Sequence, residues 1–254
     1  MIIQKKKGID FFSSPYNFEV VEKLEKINVP AYKIGSGDIT WLEFIRFVAL
    51  KKKPILIAAG ASTLDEINDA IKTIRETENN DIILMQCVTN YPSKIESANI
   101  RAMNAMAKTF DVLVGYSDHT IGDLVPLASV ARGACVIEKH FTDDRKREGP
   151  DHPHAMEPKE LKEMVEKIRL IEKALGSPAK ELYDEEKQTV ILQRRCLRAA
   201  VDLPKGTSIS AQKINVLRPA PIGSLAPKYK DSIIGKKTRS DIKKGEPITW
   251  ENLS

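Results

Sequence analysis

The chain has 254 residues and a mass of 28.4 kDa, which allows one large α/β domain or a medium domain with a small one. Its net charge of +5 is mild, so it fits an anionic small-molecule substrate and gives no argument for nucleic acid. The basic start lacks the apolar segment of a secretory signal, and no apolar run approaches the ~20 residues that span a bilayer. The three cysteines, Cys87, Cys135 and Cys196, lie in or beside apolar runs, which is typical of reduced thiols and predicts a cytoplasmic protein.

Six short β-rich runs recur in the first part of the chain. Most are continuously apolar rather than alternating, as in strands that are buried on both faces. They begin at Phe11, Ala31, Pro54, Asp81, Asp111 and Ala134. Amphipathic helical patterns lie between them, one of which opens with a capping box at Thr63, and the last runs from Pro158 to Gly176. Six successive βα units predict a parallel sheet, either a closed barrel or a doubly wound sheet.

The polar residues favour the barrel. They fall within or just after the strands, at Ser13-Ser14, Lys33 to Asp38, Thr89, Ser117 to His119 and Glu138 to His140. In a (β/α)₈ barrel the C-terminal strand ends converge on one site, whereas a doubly wound sheet would concentrate such residues at one switch point. Because only six of the eight βα units can be counted, the predicted fold class is an α/β, incomplete TIM-type barrel.

After Gly176 the pattern changes. Residues 177–195 are charged and weakly periodic, which predicts a linker with room for one helix. Residues 196–254 contain short β-like pieces and two lysine-glycine turns, in "LPKGTSI" and "IKKGEPI", that look like an internal duplication. We therefore predict a barrel domain at 1–176, a linker at 177–195 and a small β-rich domain at 196–254.

Two of the four histidines occupy strand ends. His119 lies in "GYSDHT" and His140 in "EKHFT". Neutral imidazoles on neighbouring strands can hold a borderline divalent cation, but each could equally be a hydrogen-bonded residue at the end of its strand. His152 and His154 lie in a polar loop, where we expect them to cover the site rather than bind metal. Lys33 sits at an inward strand position, which is unfavourable for a lysine unless its charge is paired.

The ordered motifs "PAYKIGSGD", "QCVTNYP", "GYSDHT", "EKHFT", "GPDH" and "ALGSP" resemble the sialic acid synthase family. "LPKGTSIS", "LRPAPIG" and "IKKGEPI" are similar to that family's C-terminal antifreeze-like (SAF) domain. The resemblance implies condensation of phosphoenolpyruvate with an N-acetylmannosamine-type sugar, giving a nine-carbon 2-keto acid and phosphate. It also implies two further strands before Phe11, one with a catalytic glutamate and one with a phosphoenolpyruvate-binding lysine. This sequence has neither.

The resemblance also implies roles for individual residues. His119 and His140 correspond to ligands of a divalent metal, usually manganese. Phosphoenolpyruvate contacts are implied at Ser14, Lys33, Ser36, Thr89 and Ser117. The plain alternative for the serines is capping of loop backbone. Two positions depart from the family, because Ala58 replaces a serine found in many relatives and Thr89 replaces Asn or Ser, so the phosphate site could be altered.

Four further residues complete the implied site. Asp38 would orient the sugar or shuttle a proton, or it could simply be the N-cap of the following helix. Tyr91 and Asp151 would contact the sugar, although Tyr91 before a proline could be ordinary loop packing. Arg218 would reach the active site of a partner subunit in a domain-swapped homodimer, or it could be a solvated surface arginine.

Three functions remain open at this point. The chain could be part of a longer, active nonulosonic acid synthase that begins before Met1, or it could be a truncated, catalytically inactive relative that only binds ligand or carbohydrate. It could also act through its C-terminal module, as an ice- or carbohydrate-binding domain. The last is disfavoured, because the barrel keeps its metal and phosphate residues and the module lacks a regular threonine array. The sugar and the metal are not specified by the sequence.

Overall fold

The computed structural model describes residues 7–254, and the chain divides into two compact units between Gly176 and Ser177. The first unit is built on a parallel sheet with strand order β1-β2-β3-β4-β5. Its strands are β1 (Tyr32–Ile34), β2 (Ile55–Ala58), β3 (Ile82–Cys87), β4 (Leu113–Asp118) and β5 (Val136–Lys139). Its helices are α1 (Phe18–Lys26), α2 (Leu42–Ala49), α3 (Leu64–Arg75), α4 (Ile100–Phe110), α5 (Leu124–Ala131) and α6 (Pro158–Leu175).

Each strand pairs with the next one along the chain, which is the order of a TIM-type barrel rather than of a doubly wound sheet. The described sheet is therefore a curled half-barrel, and the predicted fold class is confirmed. The strand predicted at Phe11 differs, because it is reduced to one parallel bridge between Ser13 and Tyr32, in which Lys33 N donates to Ser13 O at 3.2 Å. Pro15 follows at once and has no N–H with which to extend that pairing.

The main core lies between the sheet and the helices. Tyr32, Ile55 and Leu84 from the strands pack there with Phe44 and Ile74 from α2 and α3, and all five are fully buried. A smaller cluster of Leu56, Ala58, Met85 and Cys87 forms the inner face. Side chains alternate between the two faces of a strand, so the inner face is the one on which the inward polar residues collect.

The predicted helix ends are confirmed where they could be read from capping chemistry. Glu66 N donates to Thr63 Oγ1 at 3.3 Å, and Thr63 N donates to the Glu66 carboxylate at 2.7 Å, which completes the capping box of α3. The last helix starts with Pro158 at its first turn and ends at Gly176, whose φ of +53° favours glycine.

The second unit holds a two-stranded antiparallel sheet, β6 (Cys196–Ala199) with β7 (Ile214–Leu217), and the short helix α8 (Lys230–Ile233). Part of the segment predicted as a linker is helical, α7 (Lys187–Gln193). The two lysine-glycine turns are paired reciprocally. Leu203 and Ile242 exchange backbone hydrogen bonds of 2.8 and 2.9 Å.

Two aspartates extend that reciprocal pairing. Asp241 accepts from Lys205 N at 2.7 Å, and Asp202 accepts from Lys244 N at 2.8 Å. Each copy of the repeated turn is therefore held by the carboxylate that precedes the other copy. Among the described helices, none combines the length and the apolar character needed to cross a bilayer.

Asn79 holds the end of the sheet opposite the polar residues. Its side-chain amide donates to Ala49 O at 3.3 Å and Lys53 O at 3.0 Å, and its carbonyl accepts from Asp81 N at 3.0 Å. Since Asn79 is 4% exposed, Asn79→Ala would remove three inaccessible or partly buried hydrogen bonds to the backbone. We expect the free energy of unfolding to fall by about 1–3 kcal/mol, measured by urea denaturation. The matched control, the exposed Asn80→Ala, should stay within about 0.5 kcal/mol of the parent; equal losses would contradict this account.

Candidate active site

The two strand-end histidines lie side by side. His119 follows β4 and His140 follows β5, and the preceding residues Asp118 and Lys139 are register partners. The imidazole centroids are 5.3 Å apart. The adjacency expected from parallel strand ends is therefore present in the structure.

His119 is held in one tautomer. It is 6% exposed, and its Nδ1 lies 2.7 Å from Val88 O. Because a carbonyl oxygen can only accept, Nδ1 must carry the proton, which leaves the lone pair on Nε2. Burial also lowers the pKa of His119 and so favours the neutral ring. A neutral imidazole with one oriented lone pair is the form that binds a metal.

Two further candidate donors, Asp151 and His154, lie close to His140. One ligand atom each from His140, Asp151 and His154 can be chosen so that all lie within 4.8 Å of one another, and His140 Nδ1 is 3.7 Å from Asp151 Oδ2. His154 is buried, and its Nε2 has no hydrogen-bond partner. Burial lowers the pKa of both His140 and His154. A buried nitrogen without a partner is unfavourable. His140, Asp151 and His154 together could hold a metal ion.

His154 was expected only to cover the site, and in the structure it lies with His140 and Asp151 in a group that could hold a metal ion. The neighbouring His152 does not share that position, because its Nδ1 lies 2.7 Å from Thr142 Oγ1. The chain folds back through hydrogen bonds between Thr142, Met156 and His140, with Met156 N donating to His140 O at 2.8 Å. Two histidines two residues apart in "DHPH" were the available signal, but only this fold-back separates their roles.

Tyr91 lies over the imidazoles. Its ring centroid is 4.1 Å from that of His119 and 5.6 Å from that of His140, and 53% of the residue is exposed. A large exposed ring beside these donors is suited to stacking on a bound ligand. Asp151 is also exposed and faces His140.

A second part of the site surrounds Lys33. A cavity of about 370 Å³ lies here on the inner face of the sheet. Its polar lining consists of Ser13, Ser14, Lys33, Glu138 and Lys139. Lys33 is 8% exposed, and its Nζ lies 2.7 Å from Glu138 Oε2. The expected pairing of the inward lysine is thus present, and sequence reasoning had not identified its partner.

The remaining hydroxyls gather around Cys87. The Cys87 thiol lies beside the hydroxyls of Ser36 and Ser117, and burial raises its pKa although the two hydroxyls act in the opposite direction. Ser36 Oγ also accepts from Gly60 N at 3.0 Å, which is the backbone-holding role that the alternative reading gave to the serines. Thr89 closes the same corner, since a Cβ at Gly60 would lie 2.7 Å from Thr89 Cγ2.

Two further predicted residues are Asp38 and Arg218. Asp38 is partly exposed within a 3₁₀ turn (Ser36–Asp38), and α2 has Trp41 as its N-cap without a side-chain hydrogen bond. The alternative in which Asp38 caps that helix is therefore wrong. Arg218 belongs to the second unit and is exposed directly after β7, beside Pro219, whose carbonyl accepts from Arg198 at 2.6 Å.

Comparisons with known proteins place the chain among synthases. The NeuB family matches residues 2–180, and the SAF domain matches residues 194–254. The N,N'-diacetyllegionaminic acid synthase of Legionella pneumophila is 38% identical over 97% of this chain and 70% of its own length. The pseudaminic acid synthase of Helicobacter pylori is 36% identical over 99% of this chain and 73% of its own length.

A solved structure supports the same assignment. The N-acetylneuraminic acid (sialic acid) synthetase of Leptospira borgpetersenii superposes with a TM-score of 0.70 at 33% identity, over 73% of this chain and 65% of that one. The fold, the strand-end site and these similarities define an enzyme of the amino-sugar acid synthase class. The chain belongs to the NeuB family, with a C-terminal SAF domain.

Gly60 permits the close approach that shapes the hydroxyl corner. A Cβ at this position would lie 2.7 Å from Thr89 Cγ2, 2.9 Å from Ser36 Oγ and 3.3 Å from Cys87 Sγ. We expect Gly60→Ala to lower the free energy of unfolding by about 1–3 kcal/mol through overpacking. Gly37→Ala is the matched control, because a Cβ there meets nothing within 4 Å. Thermal melts of the two variants that coincide would refute the steric argument.

Proposed function

We propose that the chain is a nonulosonic acid synthase that condenses phosphoenolpyruvate with an N-acetylmannosamine-type sugar. The observation that carries the proposal is the meeting, at one end of the sheet, of a neutral imidazole cluster and a buried lysine. The first suits the oxygen of a sugar aldehyde, and the second suits an anion. The names of the Legionella and Helicobacter relatives support this class of product without selecting one sugar.

Phosphoenolpyruvate would occupy the cavity beside Lys33. A phosphate and a carboxylate need a cation and several hydroxyl donors in one place. Lys33, Ser14, Ser36, Thr89 and Ser117 would supply them. The anion would replace the Glu138 carboxylate on Lys33, and Glu138 is free to move toward solvent because its side chain is 45% exposed.

A divalent metal, manganese in our proposal, would be held by His119 and His140, with Asp151 and His154 as further donors. When bound, such an ion supplies Lewis acidity that polarises an aldehyde. The fixed tautomer of His119 and the unpartnered Nε2 of His154 support this donor set. A cluster of neutral nitrogens with one carboxylate suits a borderline cation.

The reaction would then follow from the placement of the two substrates. C3 of phosphoenolpyruvate attacks the aldehyde carbon of the open-chain sugar, water adds at C2, and the resulting tetrahedral centre loses phosphate to leave a 2-keto acid. Tyr91 would stack on the sugar, and Asp151, when not engaged by the metal, would contact it. Asp38 would orient the sugar or carry a proton.

The free cysteines, of which Cys87 and Cys196 are buried, support our proposal of a cytoplasmic enzyme.

The proposal is tested by phosphate release from phosphoenolpyruvate. We expect release only when Mn²⁺ is present together with N-acetylmannosamine or one of the diacetamido sugars that lead to legionaminic and pseudaminic acids. The alternative is a relative that binds ligand without turnover. Calorimetric binding of phosphoenolpyruvate, with no phosphate released from it in the presence of any of the three sugars, would establish that alternative.

Single substitutions test which residues bind the metal. We expect His140→Ala to weaken Mn²⁺ binding by at least tenfold, because His140 contacts both His119 and the Asp151–His154 pair. His152→Gln is the control and should leave binding unchanged, since His152 instead contacts Thr142. The measurement is Mn²⁺ titration followed by electron paramagnetic resonance. Unchanged affinity in His140→Ala would remove this cluster as the metal site.

We further propose a homodimer in which Arg218 serves the partner's site. The exposure of Arg218, on a segment fixed through the Pro219 carbonyl, supports this role.

Arg218→Ala and His140→Ala should each be inactive alone. Mixing them after partial unfolding should restore activity, because a mixed dimer combines an intact His140 site with an intact Arg218. Arg239→Ala, an exposed arginine of the same unit, is the active control. Failure to complement, in samples shown to form mixed dimers, would exclude the exchange.

A further inference from the structure

A buried ion pair lies directly behind the two histidines. Lys139 Nζ is 2.5 Å from Asp118 Oδ2, and the two side chains are 3% and 0% exposed. Asp118 ends β4 and Lys139 ends β5, and they face each other in the register of the sheet. Neither residue belongs to the proposed donor sets, and sequence reasoning assigned them no role.

The pair lies on the opposite face of the sheet from the imidazoles. Side chains alternate along a strand, so Asp118 shares the outer face with Tyr116, whose hydroxyl donates to Ala98 O at 2.8 Å among the helices. Ser117 and His119 share the inner face. The side chains of the ion pair thus lie across the backbone of the two strands from the imidazoles, although Lys139 also borders the cavity beside Lys33.

The Asp118 carboxylate bridges across His119 to the next residue, Thr120. Its Oδ1 accepts from Thr120 N at 3.1 Å, and its Oδ2 accepts from Thr120 Oγ1 at 3.0 Å. Lys139 donates to both Asp118 and Thr120 O. The residues before and after His119 are therefore tied to each other, and both are tied to the residue that precedes His140.

We propose that Asp118 and Lys139 are positioning residues that fix the spacing and orientation of the His119 and His140 imidazoles. This inference rests on the proposed function in so far as the imidazoles serve a metal. A buried ion pair is a poor source of stability, because desolvation of both charges offsets their attraction, and well-packed apolar residues often serve as well. What the pair supplies here is a directional link between two strand ends at the point where each presents a histidine.

The test separates positioning from stability with a charge-balanced double variant. Asp118→Asn alone leaves Lys139 buried without its counterion and should destabilise the fold. Asp118→Asn/Lys139→Met removes both charges, so its melting temperature should recover toward that of the parent. Tyr116→Phe is the matched control. It removes one buried hydrogen bond from the same face of the same strand, without touching Asp118.

Two readouts are followed in all variants: the imidazole tautomers, by long-range ¹H–¹⁵N spectra of ¹⁵N-histidine protein without metal, and Mn²⁺ affinity. In the parent and in Tyr116→Phe, we expect His119 to carry its proton on Nδ1. In the double variant we expect His119 to lose that single tautomer and Mn²⁺ affinity to fall by about tenfold or more, although the melting temperature recovers. Parent-like tautomers and affinity in the double variant would overturn the proposal.

The two proposals fail separately. A parent that binds no Mn²⁺, but whose His119 signals change in the double variant, would retain the positioning role and refute the metal. If the parent and the double variant bind Mn²⁺ equally tightly and show the same His119 signals, the metal site is retained and the positioning role is refuted.

Discussion

Parallel pairing of β3, β4 and β5 is the constraint on which the site depends. The register sets Cys87 beside Ser117, and Ser117 beside Glu138. It therefore places a hydroxyl, a thiol and a carboxylate across three neighbouring strands at one depth. Two residues further on, the same register brings the two strand-end imidazoles together. A shift of one residue in any of these strands would turn its polar groups toward the helices.

Gly115 shows how closely that register is packed. A Cβ at this position would lie 2.4 Å from Met85 Sδ and 2.7 Å from Val136 O. Since Gly115 pairs with Met85 on one side and Val136 on the other, any side chain there would separate the three strands that carry the site. Close packing of the inner face therefore requires that residue 115 has no side chain.

The strands, the helix ends and the adjacency of the two histidines could be predicted, because they follow from local sequence pattern and parallel topology. Continuous apolar runs located β1 to β5, and capping chemistry located the ends of α3 and α6. Parallel topology then placed His119 next to His140. Residues whose roles depend on long-range pairing could not be found in this way. His154 reaches His140 only through the fold-back of residues 140–156, and Asp118 and Lys139 stand at outward positions where the pattern predicts apolar side chains.

The contact between Lys33 and Glu138 has a consequence for selectivity. The cavity is already neutralised before any ligand arrives, since the ammonium is buried against a carboxylate. An incoming anion would therefore have to displace the Glu138 carboxylate from Lys33, because the positive charge of Lys33 is already paired. A simple monovalent anion would only replace one negative charge with another and gain little. A ligand with two anionic groups gains more, because one can take the place of the carboxylate while the other reaches the surrounding hydroxyls. In the proposed synthase, the resting pair would therefore disfavour common small anions relative to a larger ligand with two acidic groups.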